Sequence, residues 1–149
     1  MSDDRGDTRR ARLANAFWER HANPKSGWSR TLLGPLLLLG IYRRDPRLIA
    51  LAVVAAVVNP VAFPRPEGDP DDWMTRAVRA ERWWLAEERG TFGLGWPNLL
   101  NTLNLPAFAY ALYAAYARQP RRAAVALGVS MLLKFGWIEA IARRYDEAA

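Results

Sequence analysis

A chain of 149 residues with no cysteine, one histidine and a formal net charge of +6 supplies one domain's worth of core and excludes disulfide or thiolate chemistry. Its 51% hydrophobic and 24% charged residues are ordinary in total, but the charges gather into blocks between long apolar runs. A basic balance suits nucleic acid, acidic partners or anionic headgroups. Arginines spread over every segment boundary, rather than along one face, remove nucleic acid from that choice.

The N-terminal stretch "MSDDRGDTRRARLANAFWERHANP" lacks the apolar core of a cleaved signal peptide. From Asp7 to His21, the residues Leu13, Phe17 and His21 recur at i, i+4 and i+8 with Trp18 alongside, which predicts an amphipathic helix. Pro24 disfavours helical geometry at Asn23, so this helix should stop there. "KSG" then turns the chain, with Trp28 and Arg30 marking the entry to an apolar run.

Four apolar segments follow: Thr31 to Tyr42, Leu48 to Pro64, Gly90 to Ala117 and Ala123 to Ala142. A membrane-spanning helix needs about 20 mostly apolar residues. The shorter runs approach that length with aromatic and arginine flanks such as Trp28, Tyr42, Arg30 and Arg43. "LIALAVVAAVVNPVAF" is apolar all round, where a surface helix of a soluble bundle shows a polar face. These features predict an all-α integral membrane protein with about four short spanning helices. A soluble helical bundle is the alternative.

Between the second and third segments lies another amphipathic helix. Asp69 is the expected N-cap, Pro70 the first helical position, Asp71 and Asp72 the first turn, and Gly90 the stop. Trp73, Met74, Ala77, Val78, Trp84 and Leu85 fill one arc, with Arg76, Arg79 and Arg82 opposite. Such a helix reads as interfacial, like the first, or as a surface helix packed on its neighbours.

The motif Tyr-x-Arg-x-Pro-Arg occurs twice, as "YRRDPR" at 42–47 and "YARQPR" at 116–121. With a Gly-Trp pair upstream of each, it suggests two parallel half-repeats, residues 8–64 and 69–144, within a single domain over 1–149. Each motif should turn an antiparallel helical hairpin. Four spans would place both termini on one side, assigned to the cytoplasmic face of the plasma membrane.

Glu81 falls within the apolar arc of its helix, where a carboxylate must be paired or have a raised pKa; His21, Arg30 and Lys134 are its natural partners. Lys134 interrupts the last apolar segment well inside its end, and such ionisable residues mark functional sites by default. Asn98, Asn101 and Asn104 recur every three residues and either join neighbouring helices or line a polar pocket. His21, Arg30, Glu81, Asn98, Asn101 and Lys134 are therefore the candidate polar cluster. The plainer readings are a salt bridge for Glu81 and a helix-capping role for His21. No phosphate loop, nucleophile elbow or metal-ligand spacing is present in the sequence, so no cofactor and no metal are expected.

The stretches "FWERHANPKSGWSR" (17–30), "NPVAFPRP" (59–66), "AERWWL" (80–85) and "PNLLNTLNLP" (97–106) resemble a family of small prokaryotic membrane proteins known only as a domain of unknown function. The run from His21 to Arg30 is the most specific part. The resemblance implies a multi-span helical protein without an assigned activity or catalytic residues. The expected role is a non-enzymatic membrane component that binds a partner protein, a lipid or a small solute, in the bilayer and with homo-oligomerisation open. A membrane-embedded enzyme or small oligomeric transporter built on Glu81, His21 and Lys134 is the alternative.

Overall fold

Proline and its N-capping neighbour set the first boundaries. In the computed structural model, which describes residues 4–67, 71–87 and 89–148 with side chains from Arg9 onward, α1 (Asp4–His21) ends just before Asn23. The Asn23 side chain accepts from Lys25 N, with Pro24 at the next helix's first position, where its missing N–H costs nothing. The stretch expected to be a turn is thus a helix of its own, α2 (Pro24–Arg30). The chain then runs through α3 (Leu33–Arg43), α4 (Pro46–Ala62), α5 (Trp73–Ala86), α6 (Asn98–Tyr116) and α7 (Pro120–Ala148). Helix α5 starts behind an Asp72 cap, whose carboxylate accepts from Met74 N; the cap expected at Asp69 and Pro70 lies outside the described residues.

The all-α architecture carries one membrane-length helix rather than four. Among the described residues only α7 is long and apolar enough to cross a bilayer. Helix α3 has 11 residues, and the 17 of α4 rise roughly 25 Å against a hydrocarbon core of about 30 Å. Helix α6 has 19 residues, but Asn98, Asn101, Thr102 and Asn104 crowd its first two turns. The multi-pass plasma-membrane placement and its topology rested on four spans and fall with them. So does the role of a multi-span membrane component.

The two expected interfacial helices are built into the bundle. Helix α5 buries Met74, Thr75, Ala77, Val78, Ala80 and Trp84, and its arginine side also meets protein. Arg76 pairs with Asp146 at 2.7 Å and Glu139 at 3.4 Å on α7, while Arg82 donates to Asn15 of α1. Helix α1 reaches α4 through Arg20 Nη1, which donates to Val61 O at 3.0 Å.

One core cluster joins Leu38 to the small residues Ala111, Ala114, Ala115, Ala123 and Ala126. Alanine at these positions lets α3, α6 and α7 approach closely. A second cluster joins Ala80 and Trp84 of α5 to Trp137, Ile141 and Ala142 of α7. Helix α4 buries Ala52 and Asn59 and leaves Val54, Val57 and Val58 exposed.

The repeated motif forms two matching turns. Arg44 and Arg118 both adopt the left-handed conformation, at φ 55° and 60°, and each turn closes with a 2.9 Å backbone bond, Asp45 N to Gly40 O and Gln119 N to Ala114 O. The turns cross-stack: the Arg44 guanidinium lies 5.7 Å from the Tyr116 ring, and Arg118 lies 5.7 Å from Tyr42. The likeness does not extend to parallel half-repeats. Helix α7 has 29 residues where α4 has 17, and among the described residues no helix before α6 corresponds to α2.

Candidate functional site

The bend between α1 and α2 is what makes the site. Because Asn23 caps α2 and Pro24 starts it, His21 and Arg30 fold back on one another. Arg30 Nη1 lies 2.6 Å from His21 Nε2 and 3.1 Å from Nδ1, so the ring accepts a hydrogen bond from the guanidinium. Only a neutral imidazole can do so. Burial, then the Arg30 charge, pushes the His21 pKa down to about 4. The ring is held by Phe17, stacked at 5.3 Å, and by the edge of Trp18.

Four hydrogen bonds fix this bend against the rest of the bundle. Asn23 Nδ2 donates to Pro64 O at 2.9 Å. Thr75 Oγ1 of α5 donates to Ala22 O at 2.8 Å. Ser26 Oγ reaches the buried Asn59 Oδ1 at 3.0 Å, and Asn59 Nδ2 donates to Ser29 Oγ at 2.7 Å. Gly27 is obligatory here, since a Cβ would sit 2.6 Å from Met74 Cβ. Its absence lets α2 and α5 touch, which carries Glu81 toward Arg30.

Lys134 arrives from α7, completing the wall of a cavity of about 450 Å³. His21, Arg30, Glu81 and Lys134 all line it. The rest of the lining is largely apolar and includes Phe108, Leu127, Met131, Phe135 and Ile138. Burial lowers the Lys134 pKa, with Glu81 opposing that shift and Arg30 adding to it. Burial likewise lowers the Arg30 pKa, and the Glu81 charge partly restores it. Glu81 therefore acts on both cations through space. Among the described residues, however, no direct ion pair or hydrogen bond links it to either. The helix-clamping salt bridge expected for Glu81 is absent from the described contacts.

The asparagine stripe joins α6 to α7, and only its last member, Asn104, reaches the cavity lining. Asn98 Oδ1 accepts from Trp137 Nε1 at 3.2 Å, Asn101 Oδ1 from Lys134 Nζ at 3.4 Å, and Asn104 Oδ1 from Ser130 Oγ. The α7 partners descend as the α6 positions rise, so the stripe is an antiparallel ladder between the two helices. Its amide nitrogens face the preceding loop: Asn98 Nδ2 donates to Gly90 O at 2.6 Å and Asn101 Nδ2 to Thr91 O at 2.9 Å. Of the six candidate residues, four converge on the cavity, Asn101 touches it through Lys134, and Asn98 belongs to the seam.

Glu139, five residues beyond Lys134, points away from the cavity. Hydrogen bonds from Arg143 and from Trp73 Nε1, at 2.9 and 2.8 Å, hold its carboxyl below the usual range. Sequence reasoning did not assign Ser130 or Phe108 to the site. Ser130 stands one turn before Lys134 and so shares its face, which is a signal available in the sequence. Phe108 comes from a different helix and left none. Among the described residues, no group of three or more histidines or acids is placed to hold a metal ion.

Residues 7–149 match the model of a family of unknown function, DUF6653, and the chain belongs to that family. No curated protein and no solved structure matches it.

Proposed function

We propose that this helical bundle binds a small amphiphilic organic anion in the cavity between α2, α5, α6 and α7. The observation that carries the reading is the pair of buried-side cations, Arg30 and Lys134, on the wall of an otherwise largely apolar cavity of about 450 Å³, with no carboxylate in direct contact with either. A cation partly withdrawn from water with only neutral partners, as Arg30 has in His21 and Lys134 in Asn101, lacks the counter-charge that would offset its desolvation. A carboxylate or phosphate head between the two supplies that counter-charge, and an apolar body fills the space along Phe108, Leu127 and Met131. The volume lies within the range of small-molecule sites, which combine apolar walls with a few placed polar groups.

The neutral His21 has a positioning role in this arrangement. As an acceptor it holds one edge of the Arg30 guanidinium and leaves the remaining donors of the fork for the ligand. The role is binding; none of the four polar residues is assigned a bond-making step.

Calorimetric titration of the purified protein with decanoate, decyl phosphate and decanol tests the reading. Both anions should bind and the alcohol should bind at least tenfold more weakly, the worth of one charge-assisted hydrogen bond being about 1.5–3 kcal/mol. The relative affinities of the first two tell a carboxylate site from a phosphate site. Equal affinity for the alcohol, or an unchanged affinity for the anions in Arg30→Gln, would overturn it.

A further inference from the structure

Glu81 sets a condition that a plain alkyl anion does not meet. Its carboxylate faces the cavity and, among the described residues, no donor reaches it. The hydroxyls that line the cavity, Thr31 and Ser130, are engaged elsewhere. Thr31 Oγ1 donates to Trp28 O at 2.7 Å, and Ser130 Oγ donates to Asn104 Oδ1. Lys134 directs one donor to Asn101 and lies 4.2 Å from the centre of the Trp137 ring. Arg30 is held by His21.

An anionic head placed between Arg30 and Lys134 occupies the donors they have left. It also brings a second negative charge beside Glu81. The carboxylate of Glu81 would then be partly withdrawn from water with a like charge for a neighbour and no donor of its own, which is the arrangement folded proteins avoid. A head carrying its own cationic donor removes both difficulties, because the ammonium hydrogen-bonds Glu81 while the oxyanion meets the two cations.

We propose that the ligand of this cavity is zwitterionic at its head: a 2-amino acid type of group on an apolar chain, with the ammonium on Glu81 and the carboxylate on Arg30 and Lys134. The assignment rests on the amphiphile-binding reading above and narrows it. Glu81 becomes the residue that selects among amphiphiles, while Arg30 and Lys134 provide the anchor common to all of them. The apolar lining, Phe108 and Leu127 among it, then sets the length and shape of the chain.

The test compares three probes on the unaltered full chain at neutral pH by calorimetry: 2-aminodecanoate, decanoate and decylamine. The zwitterion should bind roughly tenfold or more tightly than decanoate, as one added charge-assisted hydrogen bond predicts, and more tightly than decylamine. In Glu81→Gln the preference for the zwitterion over decanoate should vanish, and decanoate should bind more tightly than to the unaltered protein because the like charge is gone. Decanoate binding as tightly as the zwitterion to the unaltered protein overturns this inference and leaves the amphiphile reading standing. Retention of the preference in Glu81→Gln overturns the role of Glu81. Failure of all three probes to bind removes both readings together. Because the first comparison uses no variant, it holds whether or not Glu81→Gln folds.

Discussion

Helix α7 takes part in two polar regions that follow opposite rules. Along the seam with α6, each successive asparagine oxygen meets a donor about one turn earlier along α7: Asn98 with Trp137, Asn101 with Lys134 and Asn104 with Ser130. Around the cavity, Arg30, Lys134 and Glu81 share a space without closing a pair. A satisfied buried network rigidifies and specifies packing, whereas an unsatisfied one costs stability. The seam closes its polar groups on one another, whereas the cavity brings charges together without pairing them.

Breaking the seam at its most buried member should have the largest effect. Trp137 is wholly buried among Ala80, Trp84, Ile141 and Ala142, and it also donates to Asn98. Trp137→Ala removes the indole and leaves the Asn98 oxygen without that donor. Urea denaturation should report a loss of about 3–5 kcal/mol, the usual range for truncating a buried tryptophan. Trp96, 63% exposed, provides the contrast, and its alanine variant should change stability by no more than about 0.5 kcal/mol. A loss at position 137 no larger than at 96 would remove the seam from its structural role.

Acid sharpens the comparison from the cavity side. His21 is only 8% exposed, and its pKa falls from 6.5 to about 4 on folding. The neutral form is therefore favoured by the folded state. The corresponding stability is fully present above pH 6.5 and is lost as pH falls through about 4. The charges facing the ring's surroundings are Arg30 from α2, Glu81 from α5 and Lys134 from α7, and only the Glu81 charge favours the imidazolium. The shift corresponds to at most about 3 kcal/mol. Stability measured by urea titration should decline between pH 6.5 and 4, before loss of the Glu139 ion pairs begins below its unperturbed value of 4.5. His21→Gln should flatten that decline, since glutamine accepts from Arg30 but does not titrate. An unchanged slope in the variant would place the acid sensitivity elsewhere.

The two regions were unequally legible in the sequence. The stop at Asn23-Pro24 and the hairpin turn at residues 42–47 are local chemistry, and the helices obey them. Glu81 and Lys134 stood out because each breaks an apolar pattern, and both line the cavity. The span count went astray at the alanines. Ala111, Ala114, Ala115, Ala123 and Ala126 are buried by close helix contact, while Tyr113, Val125 and Leu132 on the same two helices are exposed. Alanine against a larger apolar residue carries no change of polarity, so a face packed on protein and a face turned outward read alike. The cavity itself is assembled from residues on six helices, and spacing along the chain does not encode that convergence. The short helix α2 was hidden for a related reason: a glycine at 27 reads as a turn, although its actual requirement is closeness to Met74.

A small expected stability effect at Lys134 separates the regions most cleanly. Lys134 belongs to both, as a donor to Asn101 across 3.4 Å and as a cation on the cavity wall. Replacing it by methionine removes a long hydrogen bond and a cation–ring contact with Trp137, worth about 0.5–2 kcal/mol. The same change removes the cost of holding an ammonium out of water, and the thioether can still lie against the indole. Asn101 keeps its bond to Thr91 O, so the loop stays pinned. These terms oppose one another, and thermal unfolding of Lys134→Met should differ from that of the unaltered protein by about 1 kcal/mol or less. Its affinity for decanoate should nonetheless fall at least tenfold, because an anchoring charge is gone. Were Lys134 a structural member of the seam alone, the variant would lose stability and keep whatever affinity the cavity has. A residue that folding barely needs, but that binding does, marks where the seam ends and the site begins.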